Sequence, residues 1–127
     1  MPTGSQNQEP RFRNMLLEVD GFASEIGTAT ASAGAATCND YMCIITSEAL
    51  TTAQNAKYTL TLTNDKIAAA DMLQVTVGNG TNSAGTPILQ TATPAAGSAT
   101  IIVANKHDSA VALNGTLKIY VHVIKAL

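Results

Sequence analysis

From about residue 41 onward the chain alternates apolar and polar side chains with period two, the spacing of half-buried strands. Residues 57–63 show it most cleanly: Tyr58, Leu60 and Leu62 point one way, and Thr59, Thr61 and Thr63 the other. Leu73, Val75 and Val77 repeat the pattern against Gln74 and Thr76. Strands are also expected over residues 42–48, around Ile44 and Ile45, and over 99–104, around Ile101, Ile102 and Val103. Another spans 87–91, where Pro87 fits only a strand start or an edge. The last, over 116–125, turns Leu117, Ile119, Val121 and Val123 inward and Lys118, Tyr120 and His122 outward. Turn signals separate them. Residues 78–85 predict a long, flexible hairpin loop, 93–98 a second turn, and Asn114-Gly115 a tight turn with positive φ angles. Residues 66–71 predict one helical turn or a bulged connection. Short strands with turns about every 8–12 residues predict an all-β fold, an antiparallel β-sandwich or small barrel.

The first forty residues have a different texture. Met15, Val19, Phe22 and Ile26 recur as one face of a helix, yet Leu17 and Val19 alternate with polar neighbours as in a strand. Gly21 lowers the stability of that helix by roughly 1 kcal/mol relative to Ala. A short amphipathic segment results, its conformation set by what it docks on. Residues 27–37 contain only Gly, Ala, Thr and Ser, with no large side chain to bury, which predicts a linker or extended arm. The expected organisation is an N-terminal arm and linker over 1–40 and a β body over 41–127.

Composition narrows the function classes. With 127 residues, 46% of them hydrophobic, the chain makes one domain and is not wholly disordered. Its 21 alanines and 17 threonines supply 38 residues, and only 13% are charged, against about 25% in typical domains. A net charge of −2 gives no basic field for nucleic acid. No run of about 18 apolar residues is present to span a membrane. Residues 1–10 are polar and lack the charged-then-apolar pattern of a secretion signal, so synthesis in the cytoplasm is expected.

Candidate chemistry is sparse. Cys38 and Cys43 are expected as reduced thiols in that compartment; four intervening residues also allow a small disulfide loop formed later. Zinc needs about four Cys or His ligands, and His107 and His122 are distant in sequence, so no metal is expected. His107-Asp108-Ser109 imitates a hydrolytic triad, but three consecutive side chains diverge, which predicts a solvated loop. The nine carboxylates are scattered and match neither a calcium loop nor a paired glycosidase motif. Gly78-Asn79-Gly80 lacks the third glycine and helix of a dinucleotide fingerprint. Two Asn-Gly-Thr triplets, at Asn79 and Asn114, match the glycosylation sequon, without consequence in a chain that is not secreted. Arg11 and Arg13, flanking Phe12, suit carboxylates on a partner protein. No catalytic residue, cofactor or enzyme activity is expected.

One resemblance adds to this reading. It rests on Ile45-Thr46-Ser47-Glu48-Ala49-Leu50-Thr51-Thr52-Ala53, Tyr58-Thr59-Leu60-Thr61-Leu62-Thr63-Asn64, Val77-Gly78-Asn79-Gly80-Thr81-Asn82 and Gly85-Thr86-Pro87. It continues through Pro94-Ala95-Ala96-Gly97-Ser98, Ala104-Asn105-Lys106-His107 and Ala112-Leu113-Asn114-Gly115-Thr116-Leu117-Lys118-Ile119. Over residues 44–125 the chain resembles small virion proteins of tailed bacteriophages. The resemblance implies a structural role on the virion: a capsid decoration (cement) protein, a homotrimer binding the major capsid protein on the head surface after synthesis in the host cytoplasm. On that reading Phe12, Met15, Leu16, Leu17, Val19 and Phe22 are the arm's capsid contacts. Symmetric association would also bury outward residues such as Tyr120 and Ile124. The alternative function is a head- or tail-fibre-associated module that recognises host-surface glycans through loops 78–85 and 107–114. Scarce aromatics and the absence of Trp count against stacking on sugars.

Overall fold

A computed structural model describes residues 25–127. They form eight strands: β1 (Ile26–Thr30), β2 (Ala35–Thr37), β3 (Met42–Thr46), β4 (Lys57–Thr63), β5 (Met72–Asn79), β6 (Pro87–Ala95), β7 (Ser98–Asn105) and β8 (Leu117–Ile124). Two four-stranded sheets pack together, one ordered β1-β3-β8-β5 and the other β2-β4-β7-β6. Between them lie the side chains that the alternation assigns to the inside: Ile45, Leu60, Leu62, Ile101, Leu117 and Ile119 are fully buried. The all-β expectation holds.

The sheets are mixed rather than antiparallel. β1 runs parallel to β3 and β2 parallel to β4, while the remaining pairs are antiparallel. Parallel neighbours need a crossover. Here β2, in the opposite sheet, is the crossover between β1 and β3, and β3 serves β2 and β4 in the same way. For the same reason residues 78–85 make no hairpin: they carry the chain from β5 in one sheet to β6 in the other. Among the described residues only β6 and β7 form a hairpin within a sheet, turning at Gly97 with φ 76°.

The expected linker is also corrected. Residues 26–37 supply β1 and β2, an edge strand for each sheet. Small side chains fit because the neighbours come close. A Cβ on Gly27 would lie 2.2 Å from Asp40 Oδ2 and 2.6 Å from Cys38 Sγ. Ala31 and Ala36 are buried in the core cluster. Between β1 and β2, Ser32 and Ala35 exchange main-chain hydrogen bonds of 2.9 and 3.0 Å around Ala33 and Gly34. Both central residues have positive φ, 50° and 75°, the mark of a type I′ turn. Residues 66–71 contain turns and no helix. Asn114 and Gly115 do not take positive φ; Gly115 is needed for close approach, since a Cβ there would sit 2.7 Å from Asn82 N.

Pro87 and Pro94 lie on β6, an edge strand, where a missing N–H is tolerated. A bulge between Leu89 and Thr91 shifts the alternation, so Ala92 rather than Thr91 packs on the core.

Candidate interaction surface

The outward faces of the two sheets differ in chemistry. On the β2-β4-β7-β6 sheet, Ala35, Thr61, Thr100 and Thr93 make one row across the strands. Thr59, Ile102 and Thr91 make another, so the middle of this face is largely threonine, while the next row, Lys57, Ala104 and Ile88, leaves Ile88 47% exposed. On the β1-β3-β8-β5 sheet the corresponding rows are Ile26, Met42, His122, Gln74 and then Thr28, Ile44, Tyr120, Thr76. Met72 and Ile124 pair in the next row. Met72 is 64% exposed, Tyr120 42%, and Ile26 and Ile124 38% each. Clustered apolar exposure on one face marks an interaction site more often than scattered single residues do.

A shallow groove of about 230 Å³ runs over the first two rows, with Ile26 on its β1 side and Tyr120 and His122 along it. A second depression begins at His122 and continues past Tyr41 and Ile124. At the opposite end of the face, Lys118 Nζ donates to Thr46 Oγ1 at 2.6 Å. The groove is lined mainly by apolar side chains, with no Lys or Arg among its lining residues, and Lys125 lines the second depression.

Two carboxylates fasten connecting segments of the body. Glu48 accepts the Tyr58 hydroxyl and, at 2.6 Å, the Gly34 N–H of the β1–β2 turn. Burial alone would raise its pKa, but the hydrogen bonds from Tyr58 and from main-chain N–H groups outweigh it and hold it below the ordinary value. Burial and the neighbouring carboxylate push the Tyr58 hydroxyl up. Asp71 accepts from Lys125 Nζ and from the main-chain N–H groups of Ala68 and Ala126, which bring its pKa down to about 2.

Cys38 and Cys43 form a disulfide, correcting the expectation of free thiols. The bridge spans the connection from β2 to β3 and is buried against Gly27. His107 and Asp108 lie on a loop, 3.6 Å apart, with the Asp108 side chain almost wholly exposed. His107 Nδ1 meets Thr86 Oγ1 at 3.0 Å, not Ser109. His122 faces outward on the groove. No group of three or more His, Cys, Asp or Glu side chains placed to hold a metal occurs among the described residues. Nor is any helix among them long and apolar enough to cross a membrane.

The loops assigned to glycan recognition are interlocked rather than flexible. Asn82 is buried; its side chain donates to Asn79 Oδ1 and Ala84 O, each at 2.9 Å, and accepts the Asn114 N–H at 2.8 Å. Asn105, fully buried, donates to Thr52 O and Val111 O and accepts the Thr86 N–H. The side-chain polar groups of Asn82 and Asn105 are therefore used within the fold. Asn64 does similar work at the other end, donating to Asp40 O at 2.8 Å and accepting the Lys66 N–H at 2.9 Å.

The expected arm contacts Arg11, Phe12, Arg13, Met15, Leu16, Leu17, Val19 and Phe22 lie outside the described residues. Ile26, the last position of their helical spacing, begins β1 instead. Tyr120 and Ile124 were legible as outward apolar residues; Met42 and Ile44 were not, because the run Met42-Cys43-Ile44-Ile45 is apolar on both faces of its strand, and Met72, at the start of β5, stands out of phase with Leu73, Val75 and Val77. No protein-family model, curated protein or solved structure matches the chain.

Proposed function

We propose that this chain is a structural protein of a bacteriophage virion, a capsid decoration (cement) protein with no catalytic role. As a homotrimeric β-sandwich on the head surface, it bridges neighbouring major capsid protein subunits. The observation that carries this reading is the sidedness of the body. One sheet presents mainly threonines, with Ile88 as its exposed large apolar residue, whereas the other presents Ile26, Met42, Ile44 and Tyr120 along an open groove, with Ile124 and Met72 beyond it. A chain with an apolar face of this kind gains most by burying it against another protein. The phage-like motifs over residues 44–125 add the class of partner. Residues 11–22, which precede β1 in the sequence, supply further contacts, and tethering raises their effective concentration once the body is docked.

The test is to add purified chain to capsids prepared without it. Saturable binding, together with heads that withstand heating better, supports cementing. Binding to a glycan array with none to capsids would overturn it.

A further inference from the structure

The four edge strands are not equally protected. β2 has three residues and β1 five, while β6 carries Pro87, Pro94 and a bulge between Leu89 and Thr91. Short strands, prolines and bulges are the usual means of keeping a sheet edge from pairing with another chain. β5 has none of them: it runs for eight residues without proline, in unbroken register against β8.

The register also fixes which of its main-chain groups are free. Gly80 N–H donates to Thr116 O at 2.9 Å, one step beyond the Asn79–Leu117 pair. Hydrogen-bonded pairs alternate along an antiparallel ladder, so Gly78, Thr76, Gln74 and Met72 turn their N–H and C=O toward β8. Leu73, Val75 and Val77 turn theirs outward, where no described residue bonds to them. The same three side chains point into the core yet are only partly buried, although their β8 neighbours Val123, Val121 and Ile119 are buried. β5 packs over β6, so this side of the sandwich is open in both backbone and core.

We propose that β5 pairs antiparallel with β5 of a second copy, about a two-fold axis at Val75. A two-fold contact must be self-complementary, and this one is. Val75 faces Val75 of the second copy, Leu73 faces its Val77, and Gln74 faces its Thr76. Core-facing side chains therefore meet core-facing ones, and the two cores become continuous. Residues 72–79 and 87–95 hold no ionisable side chain, so no like charges oppose each other along these strands. An eight-residue edge is about 27 Å long and a two-layer body about 20 Å deep, so two copies cover roughly 1,000 Å² together, enough for a specific interface.

This pairing goes beyond the docking reading. It leaves the face around Tyr120 open, and it joins copies of different trimers rather than building one. Capsid binding and the β5 pair therefore stand or fall separately.

Cross-linking of the full chain tests it. In this register Gln74 and Thr76 of the second copy form a non-hydrogen-bonded pair with Cα atoms about 4.5 Å apart, within disulfide range. Chains carrying Gln74→Cys and Thr76→Cys, mixed and mildly oxidised, should cross-link about 10-fold more than either alone, whose like cysteines are diagonal neighbours about 7–8 Å apart. Val75→Pro, added to both, removes an outward N–H and spares the β8 ladder, so it should abolish the cross-link in chains with unchanged circular dichroism. Should that variant fail to fold, Gln74→Lys with Thr76→Lys alters only exposed side chains and sets lysine opposite lysine. It should weaken the association seen by sedimentation about 10-fold. No cross-link in the mixture, or equal cross-linking by the mixture and the single chains, would overturn the proposal. So would an unchanged yield or association in the folded edge variant.

Discussion

Thr81 and Thr116 hold each other's backbones: each hydroxyl accepts the other's main-chain N–H at 2.9 Å, and the two hydroxyls lie 3.2 Å apart. The two Asn-Gly-Thr triplets thus clasp one another, joining the end of β5 to the start of β8. Replacing either threonine by Val should lower stability by about 1 kcal/mol. The double variant should lose clearly less than the sum, because both changes break one unit. Urea unfolding of the four chains measures the coupling.

Glycine substitutions should separate crowding from backbone strain. A Cβ on Gly115 would meet Thr81 Oγ1 at 2.6 Å, so Gly115→Ala should cost about 1–3 kcal/mol by overpacking. Gly97 has nothing within 4 Å but a φ of 76°, so Gly97→Ala should cost about 1 kcal/mol from conformation alone. Thermal unfolding of both variants checks the difference.

These positions also mark how far the sequence could be followed. Tyr58, Leu60 and Leu62, like Leu117, Ile119, Val121 and Val123, revealed their strands because each alternates against polar neighbours. β1 and β2 carried no such signal: a strand edging a sheet on Gly and Ala has no large side chain to alternate, and its small residues answer to close neighbours elsewhere. Parallel pairing was equally hidden, since it depends on which sheet each strand joins and not on side-chain spacing. Of the apolar face, Tyr120 and Ile124 were legible, but its continuity across β1, β3 and β8 is a property of register.

The disulfide should secure the edge strands. By the loop-closure relation, a bridge this short contributes about 2 kcal/mol. Replacing Cys38 and Cys43 by Ala should lower stability by roughly that amount. Hydrogen exchange should speed up most in residues 26–37, which pack on the bridge at Gly27.

Acid should weaken the fold through Asp71 and Glu48. Both hold their protons less tightly when folded than when unfolded. Their stabilisation is therefore complete above the ordinary carboxylate pKa and is lost as pH falls through the folded values, about 2 for Asp71. Urea midpoints should stay level above about pH 5 and decline toward pH 2. In Asp71→Asn the decline should be shallower.

Capsid binding by two surface variants, each verified as folded by circular dichroism, tests the central claim most directly. Tyr120→Glu places a charge on the apolar face, and Thr61→Glu places one on the threonine face of the other sheet. Tyr120→Glu should weaken binding to capsids prepared without the chain by about 10-fold or more, a loss of at least 1.4 kcal/mol, with Thr61→Glu binding as the unaltered chain does. Unaltered binding by Tyr120→Glu, or an equal loss in both variants, would contradict the account.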